Sequence, residues 1–253
     1  MITFTEAQLA AGWTAIFWPL VRVLALMSVA PVFSHRAIPV RLKLALGIAI
    51  VLVLVPVLPA TPATDAMSAN GIAMLVANIG VGVTLGFTVR LVFAAIEMAG
   101  EAIGLQMGLS FGAFFNPAAG SNSNSVASFL GTLALLLFLT IDGHLMLVHA
   151  VAESFRVFPV SGGLALDSYR QVALMGAQVF SLGLSIALPF VAVSLLVNVV
   201  LGVMARIAPQ FNIFAVGFPL TILVGLSTLT MILPYIEPPL RAALEQALAL
   251  WVS

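Results

Sequence analysis

Residues 72–96 read IAMLVANIGVGVTLGFTVRLVFAAI, twenty-five positions with Arg90 as the one charged side chain. A bilayer's hydrocarbon core is crossed by about 20 helical residues of this kind. In lipid only helices and closed barrels satisfy their own backbone, and this run is too long and too continuous for the alternating pattern of a barrel strand. Comparable apolar stretches lie at 9–33, 42–59, 126–152, 172–204 and 213–233. The expectation is an all-α chain of integral-membrane type, its six apolar segments paired as helical hairpins.

Composition points the same way. Hydrophobic residues make up 62% of the chain, charged residues 7%, and the mean hydropathy is +1.21. A soluble domain of 253 residues cannot hide that much apolar surface. Nine basic and nine acidic side chains cancel, so no basic face is expected and nucleic acid is excluded as a partner. Cysteine is absent, which removes disulfides and thiolate metal sites; no metal and no cofactor are expected. The opening MITFTEAQLAAGW has no basic region before its apolar run, so the first segment is read as retained. Arg36, Arg41 and Lys43 form the densest positive cluster, which places that turn in the cytoplasm and the N-terminus opposite. Pro19, Pro31, Pro56, Pro189 and Pro219 lie in or beside the apolar runs, and each removes a backbone donor, so Pro-broken helices are expected. The last stretch, 237–253, carries Leu240, Leu244, Leu248 and Trp251 on one side and Arg241 and Glu245 on the other. It reads as an amphipathic helix, lying in the membrane interface or docked on a partner.

An ionisable group inside a membrane segment costs several kcal/mol on insertion scales and calls for a partner or a purpose. Arg22 lies in the first segment, and Arg90, Glu97 and Glu101 are spaced by seven and four residues along one helical stripe. Asp142 and His144 flank Gly143 in the fourth segment, and Arg206 follows the fifth. Two readings stand: a proton or ion relay built on Glu97, Glu101, Asp142 and His144, or pairing of these groups with Arg22, Arg90 and Arg206, or with neighbouring subunits, to hold helices in register.

The stretch 104–125, GLQMGLSFGAFFNPAAGSNSNS, interrupts the apolar pattern. Residues 108–112 match the G-x-S-x-G pattern of hydrolases, but no strand precedes Gly108 to form the nucleophile elbow, so an enzyme is not expected. Gly108 and Gly112 permit backbone conformations a helix does not need. Phe111, Phe114 and Phe115 supply bulk, and Pro117 stops any helix before an uncharged Ser/Asn lead-out. Such a tip suits a plug, or a re-entrant connection tucked into its own bundle.

Three stretches together carry a resemblance: GEAIGLQMGLSFGAFFNP at 100–117, LLLFLTIDGHLMLVHAVAESFRVFPV at 135–160, and ALPFVAVSLLVNVVLGVMARIAPQFNIFAVGFPLTILVGL at 187–226. They are similar to the FliR family, the flagellar member of the type III export-gate proteins, and SHRAIPVRLKLALGIAIVLVLVP extends the likeness over nearly the whole chain. The most specific motif runs from Arg206 through Pro209, Gln210, Asn212, Phe214 and Gly217 to Pro219. The resemblance implies a single export-gate domain over 1–253, with a FliP-like part joined to a FliQ-like part. It implies assembly with FliP- and FliQ-type subunits and an FlhB-type subunit at the bacterial inner membrane, within the flagellar basal body, and passage of unfolded flagellar proteins. It also implies that residues 106–122 form a plug, in which Gln106, Met107, Phe111, Phe114 and Phe115 occlude the channel while Gly108 and Gly112 let it move. Asn116 stands where the family commonly has Asp, so no charge is expected there.

The nearest alternative is the homologous virulence (injectisome) export-gate protein, against which Gly217 in VGFPL is the flagellar-like choice. A small-solute secondary transporter predicts an internal repeat, and none is found.

Overall fold

The computed structural model describes residues 6–35, 37–62, 64–109, 124–163, 166–208, 210 and 213–252. Among them every regular element is helical. In chain order these are α1 (Glu6–Val29), α2 (Pro31–Ser34), α3 (Val40–Leu54), α4 (Ala69–Gln106), α5 (Ser125–Thr140), α6 (Gly143–Val157), α7 (Leu166–Ile207) and α8 (Ile213–Ile232), then a 3-10 turn (Leu233–Tyr235) and α9 (Glu237–Ala249). The expected all-α, membrane-type fold is what the chain has. Four helical stretches are long and apolar enough to cross a membrane: Gly12–Val29, Ala69–Gln106, Asp167–Ile207 and Ala215–Tyr235.

Two of the six expected segments do not give one helix of spanning length. The run at 42–59 yields α3, a helix of only 15 residues, which closes just ahead of Pro56. The run at 126–152 is two helices, α5 and α6, bent by 68° at Ile141–Asp142. Asp142 adopts φ 58 there, and its carbonyl accepts the first bonds of α6 from Leu145 N and Met146 N. The prolines act unevenly. Pro31 opens α2, where its missing N–H is no loss, yet Pro19, Pro189 and Pro219 sit inside unbroken helices. Apolar helices tolerate this when neighbouring groups re-satisfy the freed carbonyl.

The chain divides into two compact units, each assembled from separated stretches of sequence. The first comprises 1–91, 138–176 and 244–253. Here α4 packs on α1 through Gly82 and Gly86: a Cβ on Gly86 would come within 2.8 Å of Leu26 O, and one on Gly82 within 2.8 Å of Ala25 Cβ. Spacing of four residues puts both glycines on one face, where absent side chains let backbones approach.

Arg22 is the centre of this unit and has 0% of its surface exposed. Its Nη1 donates to Ser154 O (2.8 Å) and Ser154 Oγ (3.1 Å), and its Nη2 to Phe158 O (2.8 Å) and Asn78 Oδ1 (2.8 Å). Its Nε donates to Asn78 Oδ1 as well, at 3.1 Å. The guanidinium carbon lies 3.9 Å from the ring centroid of Phe155. Asn78 completes the knot by donating from Nδ2 to Met74 O and Val160 O. The Ser154 and Phe158 carbonyls belong to the C-terminal end of α6, where a cation meets the negative end of the helix dipole. Arg22 therefore caps α6 and cross-links it to α1 and α4, with neutral oxygens and an aromatic face in place of a carboxylate.

The amphipathic stretch folds as α9, with Leu240, Leu244, Leu248 and Trp251 buried and Arg241 and Glu245 exposed. The expected stripe is present. It is covered by the chain itself, however: Trp251 is fully buried and its ring packs edge-on against Phe158, 5.6 Å between centroids.

The second unit comprises 92–137 and 177–243. It holds the end of α4, most of α5, the body of α7 and all of α8. Along α4 and α5 the close approaches run antiparallel, with Gly131 beside Glu97, Gly100 against Ala127 and Gly104 against Asn124. A Cβ on Gly100 would lie 2.9 Å from Ala127 N, so GEAIG at 100–104 works as GVTLG at 82–86 does. On α7, Gly183 brings the backbone of Ala95 equally near, 2.7 Å from an added Cβ.

Candidate functional site

The end of α4 is where the sequence places its most distinctive stretch, and the structure shows how the helix stops. Gly108 has φ 77, the left-handed conformation. Gly108 N donates to Leu105 O (3.1 Å) and Leu109 N to Gly104 O (3.0 Å). These are the two bonds of a Schellman motif, which satisfies the last carbonyls of a helix and favours glycine at the turning residue. Gly108→Ala should cost about 1 kcal/mol, because an L side chain is strained in this conformation. A melting temperature of the detergent-solubilised chain unchanged by that substitution would argue against it.

Just before the stop, Met107 is buried and lies over Gly225 of α8, where an added Cβ would come within 2.7 Å of Met107 Cγ. In this structure Met107 is thus a core residue of its own unit. Gln106 is half-buried and lines a small cleft with Phe190, Ser194, Thr221, Gly225 and Thr228. The hydroxyls in that cleft donate to their own helix carbonyls, Ser194 to Val191 O, Thr221 to Phe218 O and Thr228 to Val224 O. Such back-bonding leaves them no donor to turn on a ligand.

The chain returns to the described structure at Asn124, which caps α5 by accepting from Ala127 N (2.8 Å). The same residue grips Glu101. Asn124 N donates to Glu101 Oε1 (3.1 Å), and Asn124 Nδ2 to Glu101 Oε2 (2.7 Å) and Glu101 O (3.2 Å). Both residues are half-buried.

The other expected site residues are spread out. Arg90, Glu97, Asp142 and Arg206 are exposed on the single chain, and His144 is half-buried with Nδ1 lacking a hydrogen-bond partner. Among the described residues the ion pairs join other side chains, Arg156 to Glu153 at 2.6 Å and Arg241 to Glu237 at 3.9 Å. Among the described residues no group of carboxylates or histidines is placed to hold a metal ion. The motif at 206–219 spans the turn from α7 into α8: Gly217 is buried, Gln210 and Pro219 are exposed, and Phe214 lies in the first turn of α8. Pro209, Asn212 and, in the plug stretch, Phe111, Gly112, Phe114, Phe115 and Asn116 lie outside the described residues. Sequence reasoning overlooked Asn124, Asn78 and Ser154, short polar residues with no charge to draw notice. It also overlooked the paired glycines on α4, although their four-residue spacing was visible.

The sequence matches the family described as bacterial export proteins, family 1, over residues 13–247. The chain belongs to that family. It is similar to the flagellar biosynthetic protein FliR of Pectobacterium carotovorum subsp. carotovorum, at 46% identity over 94% of this chain and 91% of that protein. It is 43% identical to the FliR of Escherichia coli (strain K12), again over 94% and 91%. The FliR of Bacillus subtilis (strain 168) is 27% identical over 81% of this chain and 80% of its own length. The FliR family resemblance thus extends from α1 into α9.

Proposed function

We propose that this chain is a component of the protein-conducting gate of the bacterial flagellar type III export apparatus, required for export of flagellar subunits and for flagellum assembly. The observation that carries the reading is the match to the export-protein family along residues 13–247, together with relatives named as flagellar biosynthetic proteins. Four long apolar helices suit a place at the inner membrane, within the flagellar basal body. In this reading the chain assembles with FliP- and FliQ-type subunits, with an FlhB-type subunit beside them, and unfolded flagellar proteins pass through. It acts as a structural part of the conduit rather than as an enzyme.

Within the gate, residues 106–122 serve as the plug. Phe111, Phe114 and Phe115 fill the channel, and the segment leaves α4 at the glycine stop described above. Gln106 and Met107 hold its base. A clean deletion of the gene should abolish swimming and remove hook and filament protein from the culture supernatant, both restored by the intact gene. Normal motility in the deletion strain would sink the assignment.

A further inference from the structure

The first unit gathers three cations at one edge. Along α1 and α4 the close approaches advance together: Gly82 lies over Arg22, Ala25 and Leu26, and Gly86 over Leu26, Val29 and Ala30. One further turn of α4 brings Arg90 level with the end of α1 and the start of α2. The short connection from α1 to α3 makes those two helices antiparallel neighbours, packed through Gly47 against Leu24 and Met27. Lys43 and Arg41 stand between one and two turns ahead of Gly47, which returns them to the level of Arg90. Arg41 and Arg90 are exposed, Lys43 is half-buried, and among the described residues none of the three is in an ion pair. No carboxylate stands between Glu6 and Asp65, or between Asp65 and Glu97, in the sequence. Nor does the local backbone account for these charges. Arg41 and Lys43 occupy the first turn of α3, which has no acidic residue, and a cation is disfavoured at that positive end of a helix.

Away from that edge the surface of the unit is apolar. On α4 the outward row is Ile72, Val76, Ile79, Val83 and Phe87, every one exposed, and the next member of the row is Arg90. From its start at Ala69 the helix rises about 30 Å to Arg90, which is the thickness of a bilayer's hydrocarbon core, about 30 Å. Toward the far end of α1, Trp13 is 66% exposed and stacks on Phe17, 6.0 Å between centroids, as aromatic residues do where a membrane meets water. We infer that Arg41, Lys43 and Arg90 dock the first unit on the anionic phospholipid headgroups of one leaflet, with the apolar row of α4 standing in the hydrocarbon beside them. Height, sign of charge and aromatic edge all match a lipid surface. The two guanidinium groups suit phosphate, which they can take two oxygens at a time, and the ammonium adds a point charge. Arg90 then fixes how far α4 runs through hydrocarbon before it emerges.

The test titrates the full chain, in detergent and with the subunits that co-purify with it, with phosphatidylglycerol or with phosphatidylcholine, and counts the retained lipid by mass spectrometry. Wild type should prefer phosphatidylglycerol. A cation near an anionic lipid surface contributes about fivefold, so Arg41→Gln, Lys43→Gln and Arg90→Gln together should lower the apparent affinity for phosphatidylglycerol on the order of 100-fold. Uptake of phosphatidylcholine should not change. Arg41→Lys combined with Arg90→Lys keeps the charge and should keep most of the preference, which loss of a merely structural contact would not allow. High salt should erase most of the preference in wild type, and this measurement carries the test if the charge-neutral variant does not fold. Equal uptake of the two lipids by wild type, or an undiminished preference in the folded charge-neutral variant, overturns the docking edge. Displacement of phosphatidylglycerol by inorganic phosphate at equal concentration would mean a site for soluble phosphate, and overturns it too. So would loss of the co-purifying subunits from the charge-neutral variant with its lipid preference intact, since the cations would then face an acidic protein surface.

Discussion

Arg22→Lys should be strongly destabilising although it preserves the positive charge, and Arg22→Ala more so. The guanidinium makes five hydrogen bonds in three directions, to Asn78 Oδ1, to both oxygens of Ser154 and to Phe158 O. An ammonium on a flexible stem is a point donor and reproduces no planar fork. Ser154 O retains a bond from Phe158 N, so the groups stranded in either variant are Asn78 Oδ1 and Phe158 O. A buried acceptor left unpaired costs about 1–3 kcal/mol, and the emptied volume in the alanine variant adds roughly 2–5 kcal/mol. Set against a typical folding stability of about 5–15 kcal/mol, either change removes a large share. Both variants should fall sharply in the yield of folded, detergent-stable protein, with motility lost in parallel. Recovery of Arg22→Lys at wild-type yield would show that the charge alone matters and that the neutral cage is incidental.

The triple replacement of Phe111, Phe114 and Phe115 by Gly should leave assembly intact and open the membrane to ions. Each phenylalanine presents on the order of 200 Å² of apolar surface, worth roughly 5 kcal/mol if fully withdrawn from water. Only part of that favours the closed position, but about 4 kcal/mol already shifts a closed-to-open ratio by about a thousandfold. Permeability should therefore rise by about two to three orders of magnitude, while export and swimming persist wherever the cell tolerates the leak. An assembled triple variant with unchanged permeability would mean that these aromatic side chains close nothing.

Much of the helical content was legible because hydropathy and spanning length are linked through the bilayer. Where the estimate failed, the reasons are local. The segment taken as 72–96 belongs to a helix running on to Gln106, since Glu97, Glu101 and the glycines of 97–106 lower hydropathy while Glu, Ala, Leu and Gln favour helix. The bend at Ile141–Asp142 is announced by an Asp-Gly pair, a turn signal that the surrounding leucines outweighed. The site was less legible than the fold. Gly108 was marked for its backbone freedom and does adopt a left-handed conformation, because glycine's lack of a side chain is a property of the residue alone. The partners of Arg22 and Glu101 are another matter. They come from residues 56 to 136 and 23 positions away, and no periodicity in a single chain encodes a pairing between a charge and a neutral amide or carbonyl. The search for opposite charges therefore looked past Asn78, Ser154 and Asn124.

Asp142 shows how backbone can imitate chemistry. It is a carboxylate within an apolar run, which invites a proton, yet it is exposed and sits in the left-handed conformation that starts a new helix. That conformation admits a short alphabet: glycine at no cost, asparagine and aspartate at little, and other residues at about 1–2 kcal/mol. Position 142 is thus spelled from three letters, one of which happens to be acidic. The residue is accounted for by the corner it turns before its charge is asked to do anything.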